Sequence, residues 1–294
     1  MASRMTRSGP GKTAPPTALI RLAVGAVRRA LARLWGPDVM LYTGGVSFYA
    51  LLAGFPALAI VVSAYSLLFT PEQAARHAET LAALLPESAQ TLVADELQRL
   101  ARAPLTIVGA QGGLAAVVSL YAAHRGVKAL IAGLSFIHRD EGVKGFVKIN
   151  LMALLVFLAG MALVMVTSTA FLVVRVVVVA VDPEAPRKAG WLFSQWAWAG
   201  IGLALGLTLV YRYVMSDVRM GWRAAAVGGA TAALLSLTAS WACAIYVDRV
   251  ARLGATYGSI AAVVVCLIWI SWNVNATFFG GALATEAERL LDRR

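Results

Sequence analysis

Seven residues have the chemistry to line a polar route through an apolar medium: Ser47, Tyr49, Gly54, Pro56, Gln111, Asn273 and Asn275. Each sits in a run almost free of charge. In GVSFYALLAGFPAL, residues 45–58, two hydroxyls stand two residues apart, and Gly54 and Pro56 follow. Proline lacks an amide hydrogen, so Pro56 leaves the carbonyl of Leu52 without its helical donor. In a soluble helix that costs about 3 kcal/mol. In a membrane the carbonyl is re-satisfied by another helix, a hydroxyl or water. The segment is then either a kinked packing helix or a helix broken at a polar cavity. Asn273 and Asn275 diverge by about 200° on a helix, so both cannot face one partner. They serve as interhelical hydrogen bonds worth about 0.6 kcal/mol each, or one of them faces a cavity.

Covalent chemistry has no such support. His77, His124 and His138 are isolated, with no HExxH and no Cys/His ligand pair. There is no GxSxG elbow. GKT at 11–13 has Thr6 where a phosphate loop needs glycine, and GIGLALG at 200–206 lacks the third glycine of a dinucleotide fingerprint. Asp140, Glu141 and Asp217 lie in basic loops, where ion pairing accounts for them. The expectation is no enzyme, no catalytic residue, no metal and no cofactor.

The elements that must position these residues follow from composition. Of 294 residues 60% are hydrophobic and 14% charged, with a mean hydropathy of +0.73. A soluble domain is about 45–50% apolar and about 25% charged, so lipid is the fitting solvent. Six apolar segments fall at about 42–69, 105–123, 149–181, 191–211, 223–247 and 257–285, each long enough for a bilayer core about 30 Å thick. The third exceeds a perpendicular span, so it tilts or its VVVVAV end leaves the bilayer. Gln195 opens the fourth. The fold expected is all-α, with six transmembrane helices in a membrane domain at 37–290.

Residues 1–16 form a basic, Pro/Gly-rich tail expected to be disordered. Residues 17–36 read as an interfacial amphipathic helix: Arg21, Arg28, Arg29 and Arg33 share a face toward anionic headgroups, and Leu19, Leu22, Val27, Leu31 and Leu34 supply the apolar side. Those arginines also interrupt any signal peptide, so the first membrane helix is expected to stay as an anchor. Residues 71–103 carry two short amphipathic patterns opened by Pro71 and Pro86, read as an extracytoplasmic helical cap or a lid.

The net charge of +11 first suggests nucleic acid. Placed on a six-span chain, 18 of the 26 Lys and Arg residues fall on the side of both termini. The positive-inside rule therefore puts both termini in the cytoplasm and removes the need for a nucleic-acid partner. Arg125 and Lys128, beside His124, are anchors at the cytoplasmic end of the second span or a grip for an anionic headgroup. Arg175 snorkels from the outer end of the third. Cys243 and Cys266 lie in separate apolar segments and read as packing residues. Gly109/Gly113 and Gly202/Gly206 have the spacing for close helix approach, within the chain or between copies in a homo-oligomer.

Three stretches carry a resemblance: GVSFYALLAGFPAL at 45–58, KALIAGLSFIHRDEGVKGFVKI at 128–149, and YGSIAAVVVCLIWISW at 257–272 followed by FGGALATEAERL. Over residues 30–290 the chain resembles the YihY/BrkB family of bacterial inner-membrane proteins. The resemblance implies six membrane helices with both termini inside, and a role in envelope export or lipid handling. The family's old label of ribonuclease BN finds no metal ligands or nuclease acids here, so a membrane-bound ribonuclease is the remote alternative. The family often has Gly-Ala-Glu near the end of the last span, whereas Ala282 is here followed by Leu283. Asn273 or Asn275 would then stand in for that carboxylate. The leading expectation is a transporter or flippase-like exporter of an amphipathic or lipid-like envelope molecule, with membrane lipids as partners. The alternative is a scaffolding membrane protein without substrate.

Overall fold

A computed structural model describes residues 16–68, 105–138, 145–182, 190, 194–215, 219–250 and 254–292. Side chains at 16–20, 55–68, 105–112, 254–262 and a few other helical positions lie outside the description. So do the 71–103 segment and the tail to residue 15.

Every described element is helical. In chain order they are α1 (Pro16–Leu34), α2 (Pro37–Leu68), α3 (Leu105–His138), α4 (Phe146–Val181), α5 (Gln195–Tyr213), α6 (Trp222–Val250) and α7 (Gly254–Leu291). Helices α2 to α7 fall one by one on the six apolar segments. Three described stretches are long and apolar enough to cross a membrane: Val147–Val178, Trp222–Tyr246 and Val263–Leu291.

Local chemistry sets the boundaries. After Leu34 the chain turns at Trp35 and Gly36, and the Gly36 carbonyl accepts from Val39 N at 3.1 Å to start α2. Pro37 fits the first helical position, where its missing N–H costs nothing, and Asp38 faces the positive helix end. Helix α3 continues to His138, about fifteen residues beyond its apolar segment, and carries Lys128 and His138 on the same helix. Helix α4 runs 36 residues unbroken, about 54 Å at 1.5 Å per residue. VVVVAV is therefore the last part of the same helix.

Helices consecutive in sequence pack side by side from α2 to α7, and α7 also returns to meet α1, α2, α3 and α5. Packing around α7 is tight because its residues are small or flat. Phe278 is fully buried and touches where a Cβ at Gly133 would be, and Leu134, Tyr211 and Met215 close around Gly281. The Tyr211 hydroxyl donates to the Thr277 carbonyl at 2.6 Å, which satisfies the polar end of a buried ring. Outside this core the surface is apolar: Leu154, Leu158, Met161, Met165, Leu172 and Val176 are exposed along α4. Soluble monomers seldom expose a patch of that length. Lipid supplies the missing cover.

The glycine pairs behave unequally. A Cβ at Gly202 would lie 3.1 Å from Thr167, and one at Gly206 would lie 2.9 Å from Leu163, so this pair seats α5 on α4. That face is used inside the chain. Gly113 would meet nothing within 4 Å, and the side-chain position of Gly109 lies outside the described residues.

Candidate functional site

Two consecutive polar rungs join α2 to α7. Ser47 and Ser271 share a hydrogen bond at 3.1 Å, and the Thr43 hydroxyl donates to Asn275 Oδ1 at 3.1 Å. The spacing explains the pairing. Residues 43 and 47 are four apart on one helix, 271 and 275 four apart on the other, so each pair stacks on a single face. Ser271 also bonds the Leu267 carbonyl at 2.8 Å. It has one hydrogen, so Ser47 is the donor in the rung whenever Ser271 keeps that bond.

The expected divergence of the two asparagines holds. Asn275 faces α2, while Asn273 Nδ2 donates back to the Trp269 carbonyl at 2.8 Å. Tyr49 turns away from the rungs, toward α3: its Cβ would lie 3.3 Å from a Cβ at Gly126, and its ring stacks edge-on with Phe48 at 5.4 Å. Gly54 would meet nothing within 4 Å, so it marks no close contact. Helix α2 passes through Pro56 without interruption. A hydroxyl does serve this region: Ser119 on α3 donates to the Ala53 carbonyl at 3.1 Å, one residue beyond Leu52. The side chains of Pro56 and Gln111 lie outside the described residues.

If both rungs hold the seam, their couplings should be small and separate. A double-mutant cycle on Thr43→Val and Asn275→Leu is expected to give about 0.6 kcal/mol, read as thermal unfolding in detergent. Additive losses with no coupling would show that the rung carries no energy.

Arg125 and Lys128 do different work. Lys128 Nζ donates to Asn150 Oδ1 at 2.8 Å, and His124 Nε2 lies 3.1 Å from the same oxygen. That amide ties α3 to α4. Arg125 is exposed, donates to the Tyr121 hydroxyl at 3.1 Å and lies over its ring at 5.3 Å. Its hydrogen bond to the Tyr121 hydroxyl raises its pKa further, so the charge is permanent.

The strongest polar cluster was not among the expected residues. Glu286, 3% exposed, meets Arg29 Nε at 2.6 Å on Oε2 and Arg33 Nη2 at 2.6 Å on Oε1. Arg289 adds Nη1 at 3.4 Å, and Arg33 Nη1 also donates to the Ile137 carbonyl at 3.1 Å. One carboxylate thus ties α1 and α3 to the end of α7. Next to it, Thr285 donates to the Gly281 carbonyl at 3.0 Å, so its oxygen accepts from His138 Nδ1 at 3.0 Å. Glu288, about 200° around the helix from Glu286, accepts from Gly221 N at 3.1 Å, at the start of α6. Two acids two residues apart therefore hold two different neighbours.

In α1, Ala26 and Ala30 are buried and Arg29 and Arg33 pair with Glu286, while Leu22, Val24, Val27 and Leu31 stay exposed. Small residues let α1 lie close to α7, and the carboxylate draws its arginines inward. The signal was present in FGGALATEAERL, where Glu286 is the first acid after a long uncharged run. The acid sought beside Ala282 lies one turn further along.

Arg212 was also unforeseen. Its guanidinium lies 4.3 Å from the Trp222 ring and donates to the Met220 carbonyl at 2.5 Å, while its Nε is buried without a partner. Both cysteines are free. Among the described residues, no group of three His, Cys, Asp or Glu could hold a metal ion.

No solved structure matches this chain. It is 35% identical over 94 residues to a UPF0761 membrane protein of Paraburkholderia xenovorans, strain LB400. That match covers 31% of this chain and 21% of the relative, so it spans about a fifth of the relative's length. The sequence model described as Virulence factor BrkB matches residues 30–294. With nearly its whole length matched, from the end of α1 through α7, the chain belongs to the Virulence factor BrkB family of membrane proteins.

Proposed function

We propose that this chain is a six-span inner-membrane transporter with both termini in the cytoplasm, moving a lipid-like anionic molecule of the envelope. The observation that carries the reading is the seam between α2 and α7. Four polar side chains, Thr43, Ser47, Ser271 and Asn275, meet there on facing sides of two mostly apolar helices. Polar groups in a membrane interior are costly and tend to mark a pathway. Here they form weak, exchangeable bonds, which suits an interface that opens and recloses. No nucleotide-binding motif is read in the sequence, so a gradient or a partner would supply the driving force. Arg125, exposed and permanently charged, is the better of the two headgroup candidates, because Lys128 is engaged by Asn150.

Purified protein in liposomes with a fluorescent anionic lipid tests the proposal. Lipid should cross faster than in protein-free vesicles, and Thr43→Val with Asn275→Leu should slow it. Equal movement with and without protein would contradict transport.

A scaffolding role without substrate is the second reading. It is favoured by the internal pairing of Ser47, Ser119, Asn273 and Asn275. A scaffold with those pairs intact would leave lipid movement at the protein-free rate, so the same assay separates the two.

A further inference from the structure

Three guanidinium groups meet a single carboxylate at the end of α7. Arg29, Arg33 and Arg289 bring three positive charges to the one negative charge of Glu286. Arg33 is well engaged, forking between Glu286 and the Ile137 carbonyl. The other two are not used up. Arg29 reaches Glu286 through Nε, and Arg289 through Nη1. Each guanidinium carries five N–H donors, and these side chains are 50% and 47% exposed. Donors remain on both sides of the carboxylate, at the surface, with excess positive charge.

We propose that Arg29 and Arg289 together bind a phosphate group, as the headgroup of an anionic phospholipid or as free phosphate. A phosphate placed outside Glu286 would accept from both guanidiniums and offset the excess charge. Arginine suits this role because its planar fork matches phosphate oxygens. The lipid form has a second support on the same helix, where Leu22, Val27 and Leu31 are exposed and offer apolar surface to acyl chains. The site goes beyond the transport reading, because a bound headgroup need not move.

Delipidated full-length protein in detergent would be titrated with phosphatidylglycerol, phosphatidylcholine and inorganic phosphate, and bound ligand read by native mass spectrometry. Phosphatidylglycerol should be retained over phosphatidylcholine. Arg29→Gln with Arg289→Gln should weaken its retention about tenfold or more, the loss of charge-assisted hydrogen bonds. Arg175→Gln on α4 should leave it unchanged. The double variant keeps the Arg33–Glu286 pair, so it retains a balanced charge. If it fails to fold, Arg289→Gln alone should show a smaller drop in the same direction. Inorganic phosphate bound by the wild type, lost from the variant and matching phosphatidylglycerol in affinity would support the site with a soluble source. Equal retention of phosphatidylglycerol by wild type and variant, or equal retention of the two lipids, would overturn the site. Binding is read without any vesicle, so its failure is distinct from a failure of transport.

Discussion

Glu286→Ala should lower stability by about 3–5 kcal/mol, the cost of removing one partner from a buried ion pair. The carboxylate is 3% exposed and the Arg33 side chain 16%. Without it, Arg29, Arg33 and Arg289 would face each other with no anion between them. Helix α1 would lose its charged tie to α7, while Arg33 would keep its bond to the Ile137 carbonyl. Arg289→Gln is the contrasting case. Its contact is 3.4 Å and its side chain half-exposed, so the loss should fall within about 1 kcal/mol. Thermal unfolding in detergent reads both. Glu286→Ala melting alongside the wild type would mean that the cluster does not hold α1.

At the crossing of α6 and α7, Gly228→Val should be strongly damaging. A Cβ at Gly228 would lie 2.5 Å from the Gly280 carbonyl oxygen and 2.6 Å from Ala284 Cβ. The first of these is backbone, which a rotamer change cannot move. From the other side, a Cβ at Gly280 would lie 2.6 Å from Ala232 Cβ. Gly228/Ala232 and Gly280/Ala284 are thus two small-residue pairs at four-residue spacing, which lets the backbones touch. Overpacking there costs about 1–3 kcal/mol, and a branched side chain at backbone contact belongs at the upper end. Gly54→Ala and Gly113→Ala meet nothing within 4 Å, so each should be neutral or gain up to about 1 kcal/mol of helix propensity. Unfolding temperatures in one detergent compare all three. A Gly228→Val protein as stable as Gly54→Ala would show that the helices do not cross so closely.

These contrasts mark what the sequence could and could not convey. Helices α2 to α7 were legible because uninterrupted apolar runs announce themselves by composition, whereas the start of α2 at Pro37 was not. The divergence of Asn273 and Asn275 was legible because helical geometry fixes it. Their partners were not. Thr43 and Ser271 are unremarkable residues until α2 lies against α7, and that adjacency joins positions 232 and 224 residues apart in the chain. Gly228 and Gly280 carried a spacing signal, yet Gly202/Gly206 carried the same one, and only packing shows which pair meets backbone. Glu286 was the largest omission. An acid near a helix end reads as solvated, and its burial depends on α1, whose arginines had been assigned to headgroups by amphipathic pattern. Pattern gives the face of a helix but not the neighbour that will cover it.

The most direct test of the central claim locks the seam shut. Ser47→Cys and Ser271→Cys, with Cys243→Ala and Cys266→Ala, would replace two oxygens 3.1 Å apart with a pair within reach of a disulfide. In liposomes, oxidation should reduce lipid movement to the protein-free rate, and a reductant should restore it. Undiminished movement through an oxidised, fully cross-linked protein would contradict the account.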